Sequence, residues 1–153
     1  MNNGVKIANA AKTWLGTPYE SNAMIKSVGV DCAHLLVGAV IDAGLIQAKD
    51  VVIEQYSNEW HLHRSEEKFL QYIMEYADKV EGPPQVGDFM LYQYGRCISH
   101  GAIYIGDDMV IHAYVGQGVI LSTVHDVMFY DRTHTSRFRG AWRYNAMKVR
   151  RGA

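Results

Sequence analysis

The chain changes its hydrophobic periodicity once, at Gly82-Pro83-Pro84, and this change most constrains what it can fold into. Before the break, apolar residues recur at helical spacing. Val5, Ala8, Ala11 and Leu15, widened by Ile7 and Trp14, form one face until Gly16 and Thr17-Pro18 stop the pattern. Leu35, Leu36, Ala39, Val40 and Ala43 form a second face in the segment CAHLLVGAVIDAGL, which stops at Gly44. A third helix is expected from about Ser65 to Asp78, capped by Ser65, with Glu66 and Glu67 in its first turn. After the break the runs FMLYQY, HGAIYI, MVIHAYV, VILST and GAWRYNAM are short, rich in β-branched and aromatic residues, and separated by Gly- and Asp-bearing turns. Helices first and strands second predict an α+β domain, with N-terminal helices packed on an antiparallel sheet.

With 153 residues, 48% hydrophobic and 20% charged, the chain is expected to form one domain over 1–153 without a disulfide or metal staple. The start MNNGVKIANAAKTWLG lacks a basic n-region and a continuous apolar run, and no stretch approaches a membrane span, so cytoplasmic synthesis is expected. Two cysteines, Cys32 and Cys97, are too few for a disulfide framework and read as free thiols. Net charge is −1, yet Arg132, Arg137, Arg139, Arg143, Lys148, Arg150 and Arg151 follow one another with no acidic residue between. Such a stretch can meet an anionic partner, but the arginines are dispersed without a nucleic-acid motif, and nucleic-acid binding is not expected.

Cys32 follows Asp31, a favoured N-cap type, and so falls at the first helical position of the second helix. Unpaired N–H groups and the helix dipole favour a thiolate there, which predicts a thiol pKa in the lowered range of roughly 3.5–7.5. The charge of Asp31 opposes that shift, so a cationic histidine partner is needed to hold the ion pair. In SHGAIYIGDDMVIHAYV, Gly106-Asp107-Asp108 reads as a three-residue hairpin loop that pairs Ile105 with Met109. His100 and His112 then lie on one sheet face as diagonal neighbours, whereas a two-residue loop would put them on opposite faces. One imidazole can act as base while the other orients it, the logic of a cysteine hydrolase; the bland alternative is a pair of satisfied histidines on a half-buried sheet.

GTPY at Gly16 to Tyr19, DC at Asp31 and Cys32, VGD at Val86 to Asp88, SHGAIYIG from Ser99 and VIHA from Val110 resemble, in order and spacing, the NlpC-type papain-like cysteine peptidases of bacterial cell walls. WHLHRSEE from Trp60 and the loop between Tyr19 and Asp31 look most like the branch found in bacteriophages and related tail-like particles. The resemblance implies Cys32 as nucleophile, His100 as general base and His112 as the orienting residue. It further implies Tyr19 beside the thiol, where its hydroxyl and the Cys32 N–H could receive an oxyanion, and Asp31 as a substrate contact. Family members receive the free amine of a stem peptide with an acid and a serine near the nucleophile; this chain keeps Asp31 but carries Ala33 and His34 after the cysteine. His34, beside the thiol on the same helix, reads either as a substitute contact or as a solvent-facing helix residue, and the second is expected.

His61-x-His63 and Cys97-x-x-His100 nominally offer four zinc ligands, but neither has paired CxxC spacing, so no metal and no cofactor are expected. Asp107-Asp108 and Cys97 read as turn formers and strand-end packing. The expected function is a cysteine hydrolase cutting an amide in peptidoglycan stem peptides, between D-glutamate and the diamino acid. It would be carried by a phage or prophage tail and reach the bacterial wall with that particle, with tail proteins as partners. Two alternatives stand beside it: a non-catalytic tail protein on a hydrolase fold, and a Cys–His acyltransferase or amidase of another substrate.

Overall fold

The computed structural model describes residues 1–51 and 68–151. Helix α1, Asn3–Lys12, begins where Asn2 accepts the Val5 N–H at 2.8 Å and buries Ile7, Ala8, Ala10 and Ala11. A small hairpin of two-residue strands, β1 (Met24–Ile25) and β2 (Gly29–Val30), leads into α2, Cys32–Asp42. Every residue of α2 from Cys32 to Val40 is buried, so this helix forms the centre of the packing rather than its edge. Helix α3 covers Lys68–Met74. Strands β3 (Ala77–Lys79), β4 (Phe89–Tyr94), β5 (Cys97–Gly106), β6 (Met109–Tyr114), β7 (Gly118–Thr123) and β8 (Phe138–Tyr144) form one antiparallel sheet in the order β3-β8-β4-β5-β6-β7, and α4 (Ala146–Arg151) follows.

The sheet has two covered faces, as its period-two pattern requires. Phe89, Leu91, Ile103, Ile111, Ala113 and Trp142 join the core beneath the helices. Met90, Tyr92, Ala102, Val110 and Ala141 meet Phe129 on the other side. Gly101 sets how closely α2 approaches: a Cβ there would stand 2.8 Å from Leu36 Cδ1 and 3.1 Å from Phe69 Cζ. A glycine on β5 therefore lets the helix carrying Cys32 lie against the strand carrying His100.

The α+β architecture matches the sequence expectation, with four corrections. The third helix stops at Met74, and Ala77–Lys79 instead pairs with Tyr144, Arg143 and Trp142 of β8. A distant strand offers this segment its ladder partners, which local periodicity does not reveal; Ser65, Glu66 and Glu67 lie outside the described residues. The run GAWRYNAM is strand only to Tyr144, where Asn145 accepts the Met147 N–H and starts α4. Strands β1 to β3 precede the Gly-Pro-Pro break, so helices and strands are not fully segregated along the chain.

The fourth correction concerns the β5–β6 hairpin. Its turn has two residues, not three: Gly106 pairs with Met109, and Asp107 and Asp108 both take positive φ, 54° and 59°. A bulge at Ile105 then shifts the ladder by one residue, so that Tyr104 pairs with Val110 and Ile103 with Ile111. These are the pairs the longer loop would have given. The bulge thus keeps His100 and His112 on one face although the turn is short.

Candidate active site

The nucleophile side is built by local chain geometry. Asp31, in extended conformation, accepts the His34 N–H at 2.9 Å and caps α2, placing Cys32 at the first helical position as expected. The Cys32 thiol donates to the Ser99 carbonyl over 3.6 Å and lies against the Gly101 N–H, so the β5 backbone on both sides of His100 holds the sulfur. GTPY is laid between β7 and β2: Gly16 N–H donates to Val119 O, Val119 N–H to Thr17 O, and Val30 N–H to Pro18 O. This lacing brings the Tyr19 phenol into the field of both Cys32 and Asp31, and burial, then those two groups, push its pKa upward.

The base side spans three strands. His100 Nε2 and His112 Nδ1 stand 2.9 Å apart, and His112 Nε2 stands 2.9 Å from Ser122 Oγ. His112 is fully buried and Ser122 is buried beside it. Tyr94 and Tyr114 meet the His100 ring edge-on, with centroids at 5.6 and 5.9 Å. Arg137 stacks over Tyr94 at 4.5 Å, and the Tyr94 hydroxyl donates to Met128 O, so the wall around the imidazole is itself anchored.

Burial favours the neutral form of the thiol and of both imidazoles. Burial, then the Asp31 charge, pushes the Cys32 thiol up to about 12, outweighing the N–H groups of Gly101, Ala33 and Cys32 that pull the other way. The lowered thiol pKa expected from the helix start is therefore overturned: in this buried site desolvation exceeds the helix-terminal effect. His112 is lowered to about 4 by burial, and His100 falls well below its ordinary value through burial and the neighbouring His112. Such a site fits general-base attack, in which the thiol loses its proton as it attacks, better than a preformed thiolate–imidazolium pair.

The Cys32 thiol lies against the β5 backbone on either side of His100, His100 and His112 meet ring to ring, and Tyr19 stands in the field of Cys32 and Asp31. Asp31 has no exposed surface: Oδ1 takes the His34 N–H and stands 2.7 Å from His34 Nδ1, while Oδ2 takes the Asn22 N–H at 2.7 Å. His34 is thus buried against Asp31 rather than facing solvent, because the carboxylate that caps the helix can also hold the ring of the third helical residue. Sequence reasoning passed over Ser122. The one signal for it was period-two spacing in VILST, which turns Ser122 to the face opposite Leu121. Asp88, in the VGD motif, is structural: Arg143 grips both its oxygens at 2.8 and 2.9 Å and Gln85 N–H adds a third bond. Part of the basic C-terminal stretch is therefore tied to the protein's own groups, Arg137 to Tyr94 and Arg143 to Asp88.

Among the described residues no cluster of metal-ligating side chains occurs; His61 and His63 lie outside them. Nor is any described helix long and apolar enough to cross a membrane.

A cysteine at the start of a helix packed on an antiparallel sheet, against the strand whose histidine pairs with that of the next, is the layout of a papain-like α+β domain. The NlpC/P60 family model matches residues 16–138, and the chain belongs to that family. Solved structures agree on the fold. A Bacillus cereus NlpC/P60 family protein superposes with TM-score 0.61 at 20% identity, covering 92% of this chain and 40% of its own. The NlpC/p60 domain of the peptidoglycan hydrolase SagA gives 0.52 at 22% identity, covering 80% of this chain and 91% of its own. RipD of Mycobacterium tuberculosis, described as a non-catalytic NlpC/p60 domain protein adapted to peptidoglycan binding, gives 0.55 at 16% identity, covering 93% and 96%. The chain spans about half the length of some relatives, 45% of NlpC1 from Trichomonas vaginalis for example. No curated protein matches it.

Proposed function

We propose that this protein is a cysteine hydrolase that cleaves an amide in peptidoglycan stem peptides, between D-glutamate and the diamino acid. The observation that carries the reading is the thiol of Cys32 held against β5 on both sides of His100, with His100 backed by His112 at 2.9 Å. Family membership and the naming of SagA as a peptidoglycan hydrolase support the substrate class.

In the reaction, the Cys32 proton passes to His100 Nδ1 as the sulfur bonds to the scissile carbonyl carbon. The carbonyl oxygen becomes an oxyanion, received by the Cys32 N–H and the Tyr19 hydroxyl. The C–N bond then breaks, and the leaving amine takes the proton from His100. Water, deprotonated by the same imidazole, cleaves the thioester and restores the thiol.

Asp31 acts here through the cap and the His34 ring. A substrate ammonium would have to compete with protein donors already on both carboxylate oxygens. Stem peptides still joined to glycan, which lack that free amine, are therefore the better substrates. The setting is a phage or prophage tail particle that carries the protein from the cytoplasm to the wall, a reading supported by the resemblance of WHLHRSEE and of the Tyr19–Asp31 loop.

Digestion of purified peptidoglycan, with products weighed by mass spectrometry, tests the activity. Soluble fragments cut after D-glutamate, absent with Cys32→Ala, are expected. A second reading, wall binding without cleavage, is favoured by the raised thiol pKa and by the description of RipD. Retention of the protein on peptidoglycan with no released fragment would establish it instead.

A further inference from the structure

His112 has two ring nitrogens and both are engaged, one by the base and one by a side chain from a third strand. Ser122 pairs with Val110 across the β6–β7 ladder, while His112 pairs with Ile120, so serine and histidine are diagonal neighbours on one sheet face. A neutral imidazole carries one proton, and each of the two hydrogen bonds needs one. Two arrangements satisfy the chain. Either Ser122 donates inward, and His100 ends with its proton on Nδ1, the nitrogen that takes the thiol proton in the cysteine-hydrolase reading. Or the protons all point outward: His100 Nε2–H to His112 Nδ1, and His112 Nε2–H to Ser122 Oγ.

Only the second leaves a lone pair on His100 Nδ1. Once His100 has taken the thiol proton, both its nitrogens carry hydrogen. Its Nε2–H must then donate to His112 Nδ1, which forces the His112 proton onto Nε2, where Ser122 Oγ is the acceptor within reach. We propose that Ser122 is a positioning residue for the base, its hydroxyl oxygen receiving the His112 Nε2 proton and thereby fixing the tautomer through which His100 accepts the proton of Cys32. This rests on the cysteine-hydrolase reading but concerns proton transfer, whatever the substrate. The titratable groups facing His112 are His100 on β5, Tyr114 on its own strand and Asp126 after β7; none of these replaces Ser122 at Nε2 in the observed hydrogen bonding.

Threonine and valine at position 122 are isosteric, equally suited to a strand, and differ in the hydroxyl alone. Ser122→Thr should keep the alkylation rate of Cys32 by iodoacetamide at neutral pH within about two-fold, whereas Ser122→Val should lower it about ten-fold, the loss of one buried hydrogen bond. With a peptide substrate the same loss should fall on kcat and leave KM in place. Nitrogen-15 NMR of the imidazoles should find the His112 proton on Nε2 in the native protein. Equal alkylation rates for the two variants, or a His112 proton on Nδ1, would overturn the role. Alkylation and NMR need no peptidoglycan, so an inactive protein with the expected Thr–Val difference would refute the proposed function and leave the role of Ser122 standing.

Discussion

The two halves of the site are assembled by different means. The nucleophile side is one short stretch in which Asp31 caps α2, Cys32 follows at the first helical position, and His34 folds back on the cap. The base side takes one residue from each of β5, β6 and β7, and depends on a bulge at Ile105 to bring them to one face. Local geometry places the thiol, but the sheet decides whether anything can deprotonate it. Burial raises the thiol pKa instead of lowering it, so on the proposed mechanism the activation has to come from the base side.

The largest effect should come from removing the base. His100→Ala is expected to reduce turnover on stem peptides by about 10²–10⁴-fold, the usual contribution of general-base catalysis, with an unchanged fold by circular dichroism. A thiol that stayed active without His100 would show that the nucleophile side suffices, and the comparison would fail.

Next comes the contact that joins the two sides. Gly101→Ala places a methyl within 2.8–3.2 Å of Leu36, Phe69 and Leu91, and should destabilise the protein by about 1–3 kcal/mol in urea unfolding. The same change moves α2 off β5, so Cys32 alkylation should slow as well. A loss of stability with native alkylation would mean that the helix re-seats without moving the sulfur.

Replacing the orienting histidine separates hydrogen bonding from shape. His112→Asn should retain about ten-fold more activity than His112→Ala, since an amide can still meet His100 Nε2. Equal rates for the two variants would remove orientation from the role of His112.

A pH titration reads burial of the same residue. His112 is lowered to about 4 in the fold against about 6.5 unfolded. Protonating His112 therefore costs the fold nothing above pH 6.5 and lowers its stability by up to about 1.4 kcal/mol per unit as pH falls toward 4. Urea unfolding at pH 7 and pH 5 should show this loss in the native protein and a smaller one in His112→Asn.

The smallest effect belongs to the turn. Asp107→Asn with Asp108→Gly suits two consecutive positive-φ residues and should add about 0.5 kcal/mol, seen as a slightly higher Tm, without changing Cys32 alkylation. A change in reactivity would mean that the bulge, and with it the register, had moved.

The sequence alone determined what depends on neighbours along the chain. The N-cap at Asp31, the helix start at Cys32, strand β4 and the place of the hairpin turn, though not its length, were legible, because caps, turns and hydrophobic periods are local physics. It also held the register of His100 and His112, though through a three-residue loop in place of a two-residue turn and a bulge that shift the ladder equally. Tertiary structure decided the rest. The switch of Ala77–Lys79 from helix to strand needed β8, sixty-odd residues away, as partner. His34 could turn inward only because Asp31 is buried, and Ser122 reached His112 only across a finished sheet. The thiol pKa, read upside down from the helix start, follows from how much protein surrounds the sulfur, and desolvation is set by every segment that packs there.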